Sequence, residues 1–386
     1  PLPIPEIREA FSRPAQPPGT RDVSIPKITI DVEKIKRSDI ANLRRNRDVV
    51  AVAPSMPLKL IKPFDVRAVP VDEGDTTWGV EAVGAHTSPF SGEGIVVAVL
   101  DTGIDATHPA FNGVDLVQKD FTGEGDGDHH GHGTHCAGTI FGQDTDGVRI
   151  GVAQGVRKAM IGKVLGQQGG GGTDQIYNAI IWATGGGANV ISMSLGMDFP
   201  GYVAYMVDQG LPADLATSRA LEGYRANTQL FDKLSALTRV SASFFQTTVI
   251  IAAAGNESKR DLNPDYEIAV APPATAEGII SVAALGQSGD GLSVAPFSNT
   301  GADVSGPGVN VKSAQAGGGL VSFSGTSMAT PHVAGVTALW AESLTKSGRL
   351  NATELISRVV SSGTNTGLVS GVDPFDVGSG LVQAPQ

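Results

Sequence analysis

The feature that most constrains this chain is a set of short, continuously apolar runs that begins beyond Trp78 and is separated by helix-like stretches and glycine-rich turns. The runs are residues 95–100, 160–165, 190–195, 248–254 and 279–284. A strand with one wet face alternates apolar and polar residues, whereas a run apolar at nearly every position belongs to a strand covered on both faces, as in a parallel sheet. Between two of the runs, Thr173 can cap a helix that puts Ile176, Ile180 and Ala183 on one side. Strand and helix alternating in this way predict an α/β fold of three layers, a mostly parallel twisted sheet with helices on both faces.

Composition fits one large buried body. Charged residues make up 17% of the chain and apolar residues 41%, where an average soluble domain carries roughly 25% charge. Lys and Arg number 28 against 39 Asp and Glu, a net charge of -11, and the basic run Arg44, Arg45, Arg47 is too short to track phosphates. Nucleic acid is therefore excluded as a partner. No stretch approaches the roughly 18 to 20 apolar residues of a membrane-spanning helix. The single cysteine, Cys136, cannot close an intrachain disulfide and leaves the compartment open. Residues 1–11 lack the basic-then-apolar pattern of a leader, and a start at Pro1 fits one already removed, so secretion is the favoured expectation.

Four segments follow. Residues 1–24 carry six prolines and read as an extended arm without a packed element. Residues 25–66 read as a small α+β module: Ile28, Ile30 and Val32 alternate with polar neighbours, a short helix is expected over 38–45, and 49–60 returns to a strand pattern broken by Pro54 and Pro57. Residues 67–77 form a linker or processing region. The main domain is 78–386, with an insert at about 197–246 in which Leu230, Leu234 and Leu237 keep helical spacing.

The chemistry concentrates in three places. His129, His130, His132 and His135 crowd into seven positions. Metal binding would need a fixed ligand spacing and a third ligand, which the sequence does not supply; a polar turn entering a helix and a catalytic base remain. A catalytic histidine needs a carboxylate to orient it and a nucleophile to deprotonate. Asp101 directly follows an apolar run, at the carboxyl end of a strand where α/β sheets gather their functional groups; a simple turn-starting Asp is the other reading. Ser327 lies in Ser324-Gly325-Thr326-Ser327-Met328-Ala329-Thr330-Pro331, and Pro331 is tolerated only in the first turn of the apolar helix that follows. The serine thus sits at a helix N-terminus, where free N–H groups favour negative charge, although a plain N-cap serine has the same address.

Three blocks together are more specific than any one. Asp101-Thr102-Gly103-Ile104-Asp105, His132-Gly133-Thr134-His135-Cys136-Ala137-Gly138-Thr139 and Gly325-Thr326-Ser327-Met328-Ala329-Thr330-Pro331-His332-Val333-Ala334-Gly335 resemble the signature blocks of the subtilisin-like serine proteases, in that family's order. The resemblance runs from about residue 78 to 384. It implies a serine endopeptidase acting on extended polypeptides, with Ser327 as nucleophile, His132 as base and Asp101 as orienting anion. It implies that Asn256, in Ala252-Ala253-Ala254-Gly255-Asn256, donates to the oxyanion. Gly169, Gly170, Gly171 and Ser194, Leu195, Gly196 resemble the two edge strands between which substrate lies. The main specificity pocket falls near residues 271–274. The module at 25–66 resembles the second half of the family's propeptide, which implies a self-inhibited precursor whose residues 61–77 lead through the cleft.

Departures from the pattern matter too. The family's strong calcium site uses an Asp nine residues after the catalytic one, and Ala110 stands there. The oxygen-rich stretches 120–128 and 143–147 leave structural calcium and solvated turns as alternatives, with no cofactor needed for the chemistry. Cys136 resembles the thiol of proteinase K-like members or is a small buried hydrophobe. A lipase or esterase is excluded by order, since its Asp and His would follow the serine. A catalytically silent binding protein of the same fold is the remaining alternative.

Overall fold

The computed structural model of the protein describes residues 6–11, 28–63, 74–241 and 247–386. In the N-terminal module, strands β1 (Glu6–Phe11), β2 (Ile28–Glu33) and β3 (Val49–Pro54) form an antiparallel sheet in the order β2-β1-β3, with helix α1 (Arg37–Leu43) between β2 and β3. A strand in the proline-rich arm corrects the expectation of no packed element there. Residues 6–11 contain no proline, so every N–H in that stretch can enter a ladder. The rest of the arm, and residues 67–73 of the expected linker, lie outside the described residues.

The pattern read as one interrupted strand over 49–60 is two strands in different sheets. Proline removes a ladder donor and turns the chain, and after Pro54 the polypeptide leaves the module. Strand β4 (Pro57–Leu60) then joins the main domain. There follow the short helix α2 (Trp78–Ala82) and strand β5 (Val96–Asp101), then β6 (Asp115–Asp120), helix α3 (His132–Phe141), β7 (Lys158–Lys163), β8 (Gly170–Gly172), helix α4 (Thr173–Gly185), β9 (Val190–Met193) and β10 (Leu195–Met197). Helices α5 (Phe199–Asp208) and α6 (Ala213–Ser241) make up the insert. After them come β11 (Val249–Ala253), β12 (Ile279–Ser288), β13 (Gly291–Val294), β14 (Val304–Pro307), the hairpin β15 (Val311–Ala314) and β16 (Leu320–Phe323), and helices α7 (Thr326–Lys346), α8 (Ala352–Ser361) and α9 (Pro374–Val377).

The central sheet runs β13-β12-β11-β9-β5-β7-β6, with β14 also on β12, and every pair but β12–β13 is parallel. Side chains alternate between its faces. Val97, Val99, Ile161, Val249, Ile251 and Val282 enter one core with α3 and α7, while Ala98, Leu100, Met160, Ile191, Ile250 and Ala252 enter a second with α4 and α6. Two apolar faces on each strand explain the unbroken apolar runs, and the expected three layers are present. The strand ends at Asp101 and Ala253, and the start of α7, open at one rim of this sheet.

Candidate active site

Asp101 ends β5 and His132 begins α3, and the two helix-to-strand elements are pinned together by a small polar network. His132 Nδ1 donates to Asp101 Oδ1 at 2.8 Å, and that oxygen also accepts the Thr102 N–H at 2.7 Å. Thr102 Oγ1 accepts the Gly133 N–H at 2.9 Å and donates to Asp128 Oδ1 at 2.9 Å. Asp128 further accepts the His130 and Gly131 N–H groups on Oδ1, and the Thr134 N–H and Oγ1 on Oδ2. Of the donors in the first helical turn, the Thr134 N–H goes to this carboxylate four residues upstream of the helix and the Gly133 N–H to Thr102 Oγ1, while the same carboxylate also holds the two residues that lead into the helix. Close approach of α3 to the Asp101 turn requires Gly133, since a Cβ there would lie 2.2 Å from the Gly103 carbonyl oxygen.

Asp128 and Thr102 were not singled out as site residues from sequence. An acidic residue just ahead of a helix whose first turn holds Thr134 is the available signal. Burial raises the Asp128 carboxyl, but the hydrogen bonds from Thr134, Gly131 and Thr102 outweigh it and hold it below its ordinary range.

Ser327 lies in the first turn of α7, fully buried, with Pro331 one turn later. Cys136 Sγ sits 3.8 Å from His132 Nδ1 and 3.5 Å from the Ser327 carbonyl oxygen, so the histidine and serine blocks meet around that thiol. Burial pushes the thiol up, away from the thiolate. His132 Nε2 and Asp101 Oδ2 are buried without a hydrogen-bond partner. Burial alone would lower His132. The charge of Asp101, the Cys136 sulfur and their hydrogen bonds prevail and hold the imidazole well above its ordinary value.

The other buried histidines are committed elsewhere. His135 Nε2 donates to the Val311 carbonyl at 2.9 Å and is pushed down to about 3 by burial and by His132. His332 Nδ1 donates to the Met328 carbonyl at 2.8 Å and is pushed down to about 4, chiefly by burial.

Asn256 follows β11. Its Oδ1 accepts the Thr326 N–H and Oγ1, both at 2.9 Å, which turns Nδ2 toward the cleft. There Nδ2 donates to the Lys62 carbonyl at 3.0 Å.

The cleft is filled by the protein's own chain. Strand β4 lies antiparallel between β8 and β10, pairing Leu58 with Gly171, Lys59 with Gly170 and Gly196, and Leu60 with Leu195. The Leu60 N–H donates to the Gly169 carbonyl at 2.7 Å. Gly169, with φ of +74°, must lack a side chain; a Cβ there would also lie 3.0 Å from Leu60 Cβ. The strand delivers Ile61 to Ser327, whose Oγ donates to the Ile61 carbonyl oxygen at 3.0 Å. Ile61 is buried, and its side chain and Ala271 Cβ both come within 4 Å of where a Cβ on Gly196 would stand, beside the region where the specificity pocket was expected. Lys59 Nζ lies 3.2 Å from Asp198 and 3.4 Å from Glu257 at the rim. Ser194 Oγ donates to the Ser327 carbonyl at 3.1 Å. The chain enters the cleft at Pro57, four residues earlier than the sequence suggested.

Three carboxylates in the turns considered for calcium accept hydrogen bonds from their own surroundings. Asp120 accepts from Thr122 and Gly125, Asp128 from the donors above, and Asp144 from Gln154 Nε2. Among the described residues, three metal-ligating side chains come within 4.8 Å of one another only at Asp101, His132 and Cys136.

A family model described as the subtilase family matches residues 92–373. Over 268 residues, 68% of this chain, the sequence is 34% identical to M-protease of Shouchella clausii strain KSM-K16 and 33% identical to Subtilisin Savinase of Lederbergia lenta, covering 58% and 82% of those relatives. It is 32% identical to Subtilisin DY of Bacillus licheniformis over 308 residues, 78% of this chain and 94% of that relative. The match thus spans little more than half of M-protease.

Proposed function

The chain belongs to the subtilase family of subtilisin-like serine endopeptidases, and from that premise we propose that it hydrolyses extended polypeptides through an acyl-enzyme and is made as a self-inhibited precursor. One observation carries the reading: a strand of the protein's own chain, paired on both sides like a substrate, ends with a carbonyl 3.0 Å from the Ser327 hydroxyl.

In the proposed reaction Ser327 Oγ forms a bond to the carbonyl carbon while the unpartnered His132 Nε2 takes its proton. Asp101 holds Nδ1–H and stabilises the imidazolium. The carbonyl oxygen, now negative, is to be met by Asn256 Nδ2, which in the bound state shown donates to the neighbouring Lys62 carbonyl and has to shift by one residue, and by the positive N-terminal end of α7. The C–N bond breaks as His132 returns the proton to the leaving amine, and water then hydrolyses the ester by the same base. For the bound segment the scissile bond is Ile61–Lys62. Residues 169–171 and 194–196 supply ladder partners that any extended sequence can use, with aliphatic side chains favoured at the positions of Leu58 and Ile61.

Labelling by a fluorophosphonate tests the activity and distinguishes it from a silent relative of the same fold. Expected is a single adduct on Ser327 with parallel hydrolysis of denatured protein, both absent in Ser327→Ala. An intact, folded protein that takes no label and cuts nothing would reject the reading.

A further inference from the structure

The contacts of the bound segment do not stop at the three-residue ladder. Beyond Pro57, the Met56 N–H donates to Thr173 Oγ1 at 3.1 Å and its carbonyl accepts the Thr173 N–H at 3.0 Å. Ser55 Oγ donates to Asp174 Oδ1 at 2.6 Å. The Pro54 carbonyl accepts from Asn227 Nδ2 at 2.9 Å, and Asn227 is itself fixed by Tyr177 Oη, which donates to its Oδ1 at 2.8 Å. The segment is thus held over residues 54–61, first by α4 and then by the insert helix α6.

Met56 is the anchor of this outer stretch. It is fully buried, in the same apolar cluster as Ile176, Tyr177, Leu230 and Phe231 from α4 and α6. The wall facing it is helix backbone: a Cβ on Gly223 would lie 3.0 Å from Met56 Sδ and 3.1 Å from Pro54 Cγ. Glycine in a helix interior costs about 1 kcal/mol relative to alanine, and here its absent side chain makes the slot.

We infer that the groove between α4 and α6 is a specificity subsite that reads the sixth residue on the acyl side of the cleaved bond, counting Ile61 as the first, and that it selects an unbranched or γ-branched apolar side chain. The insert is what builds this slot. The inference rests on the proteolytic reading, because only a substrate that follows the track of residues 54–61 reaches it. The slot lies too far from Ser327 to touch the reaction, so it acts on binding of long substrates alone.

The test uses the full-length protein after any self-processing is complete. Decapeptides copying residues 54–63 carry Met, Leu, Ala or Asp at the position of Met56, and a hexapeptide copying 58–63 lacks the position. Burying the side chain corresponds to a preference in kcat/KM of about tenfold to a hundredfold for Met or Leu over Asp. Gly223→Leu, which fills the slot, should erase that preference and leave hexapeptide cleavage unchanged. Equal rates for the four decapeptides, with the hexapeptide still cut, would overturn the subsite while leaving proteolysis intact. Absence of cleavage of every peptide would overturn both.

Discussion

Replacing Leu58 by alanine should release the bound strand without loosening the enzyme around it. Leu58 is 2% exposed and enters the apolar cluster beneath α4. Leucine-to-alanine changes in a core cost about 2–5 kcal/mol, and the lower half of that range applies to a strand that can shift in its groove. A loss of about 2–3 kcal/mol in the hold on β4 raises its open fraction by about 30-fold to 150-fold. Amide exchange reads this directly, because the Leu60 N–H is protected by Gly169 and opens with the strand. The comparison is best made in a Ser327→Ala background, which keeps the chain uncut. Residues 58–60 should exchange faster by that factor while residues 97–100 of the central sheet keep their rates. Unchanged exchange at 58–60, or an equal rise in both segments, would refute a local hold by the buried leucine.

Other outcomes follow from the site. Asn256→Ala removes the side-chain donor aimed into the cleft and should lower kcat by about 10²–10³-fold with little change in KM; a drop below fivefold would deny Asn256 that role. Base catalysis needs neutral His132, whose value in the filled cleft is raised, so self-cleavage should rise with pH through a point above 6.5; a rise complete below 6.5 would contradict this. The same sign makes the stability contributed by the Asp101–His132 pair full below the unfolded histidine value and lost as pH climbs through the folded one. Asp128→Ala strips four hydrogen bonds from the start of α3 and a fifth from Thr102, and should cost about 3 kcal/mol or more in unfolding free energy, measured by urea denaturation. A loss under 1 kcal/mol would show that the helix start is held otherwise.

Much of this was legible in the sequence for physical reasons. Strands 96–101 and 249–253 announced themselves because both faces are covered, whereas Pro331, expected in the first turn of α7, lies inside the helix one turn beyond its start at Thr326. Pairing was less legible. The pattern of 49–60 says that the stretch is extended, but nothing local says that its first half pairs with residues 6–11 and its second half with glycines more than 100 positions away. Asp128 read as a possible metal ligand because a carboxylate in a glycine-rich turn looks the same whether it meets a cation or its own backbone. The insert's leucines revealed a helix, whereas the slot opposite Met56 depends on Gly223, whose meaning comes only from what packs against it.

The central claim is that Asp101, His132 and Ser327 work on the bond that the protein's own chain presents. It is tested most directly by sequencing the new N-terminus formed as purified full-length protein ages beside its Ser327→Ala variant. The account expects a fragment beginning at Lys62 from the wild type and an intact variant. A variant that shortens at the same rate, or a wild type that takes up a serine-directed label yet is never cut at this bond, would contradict it.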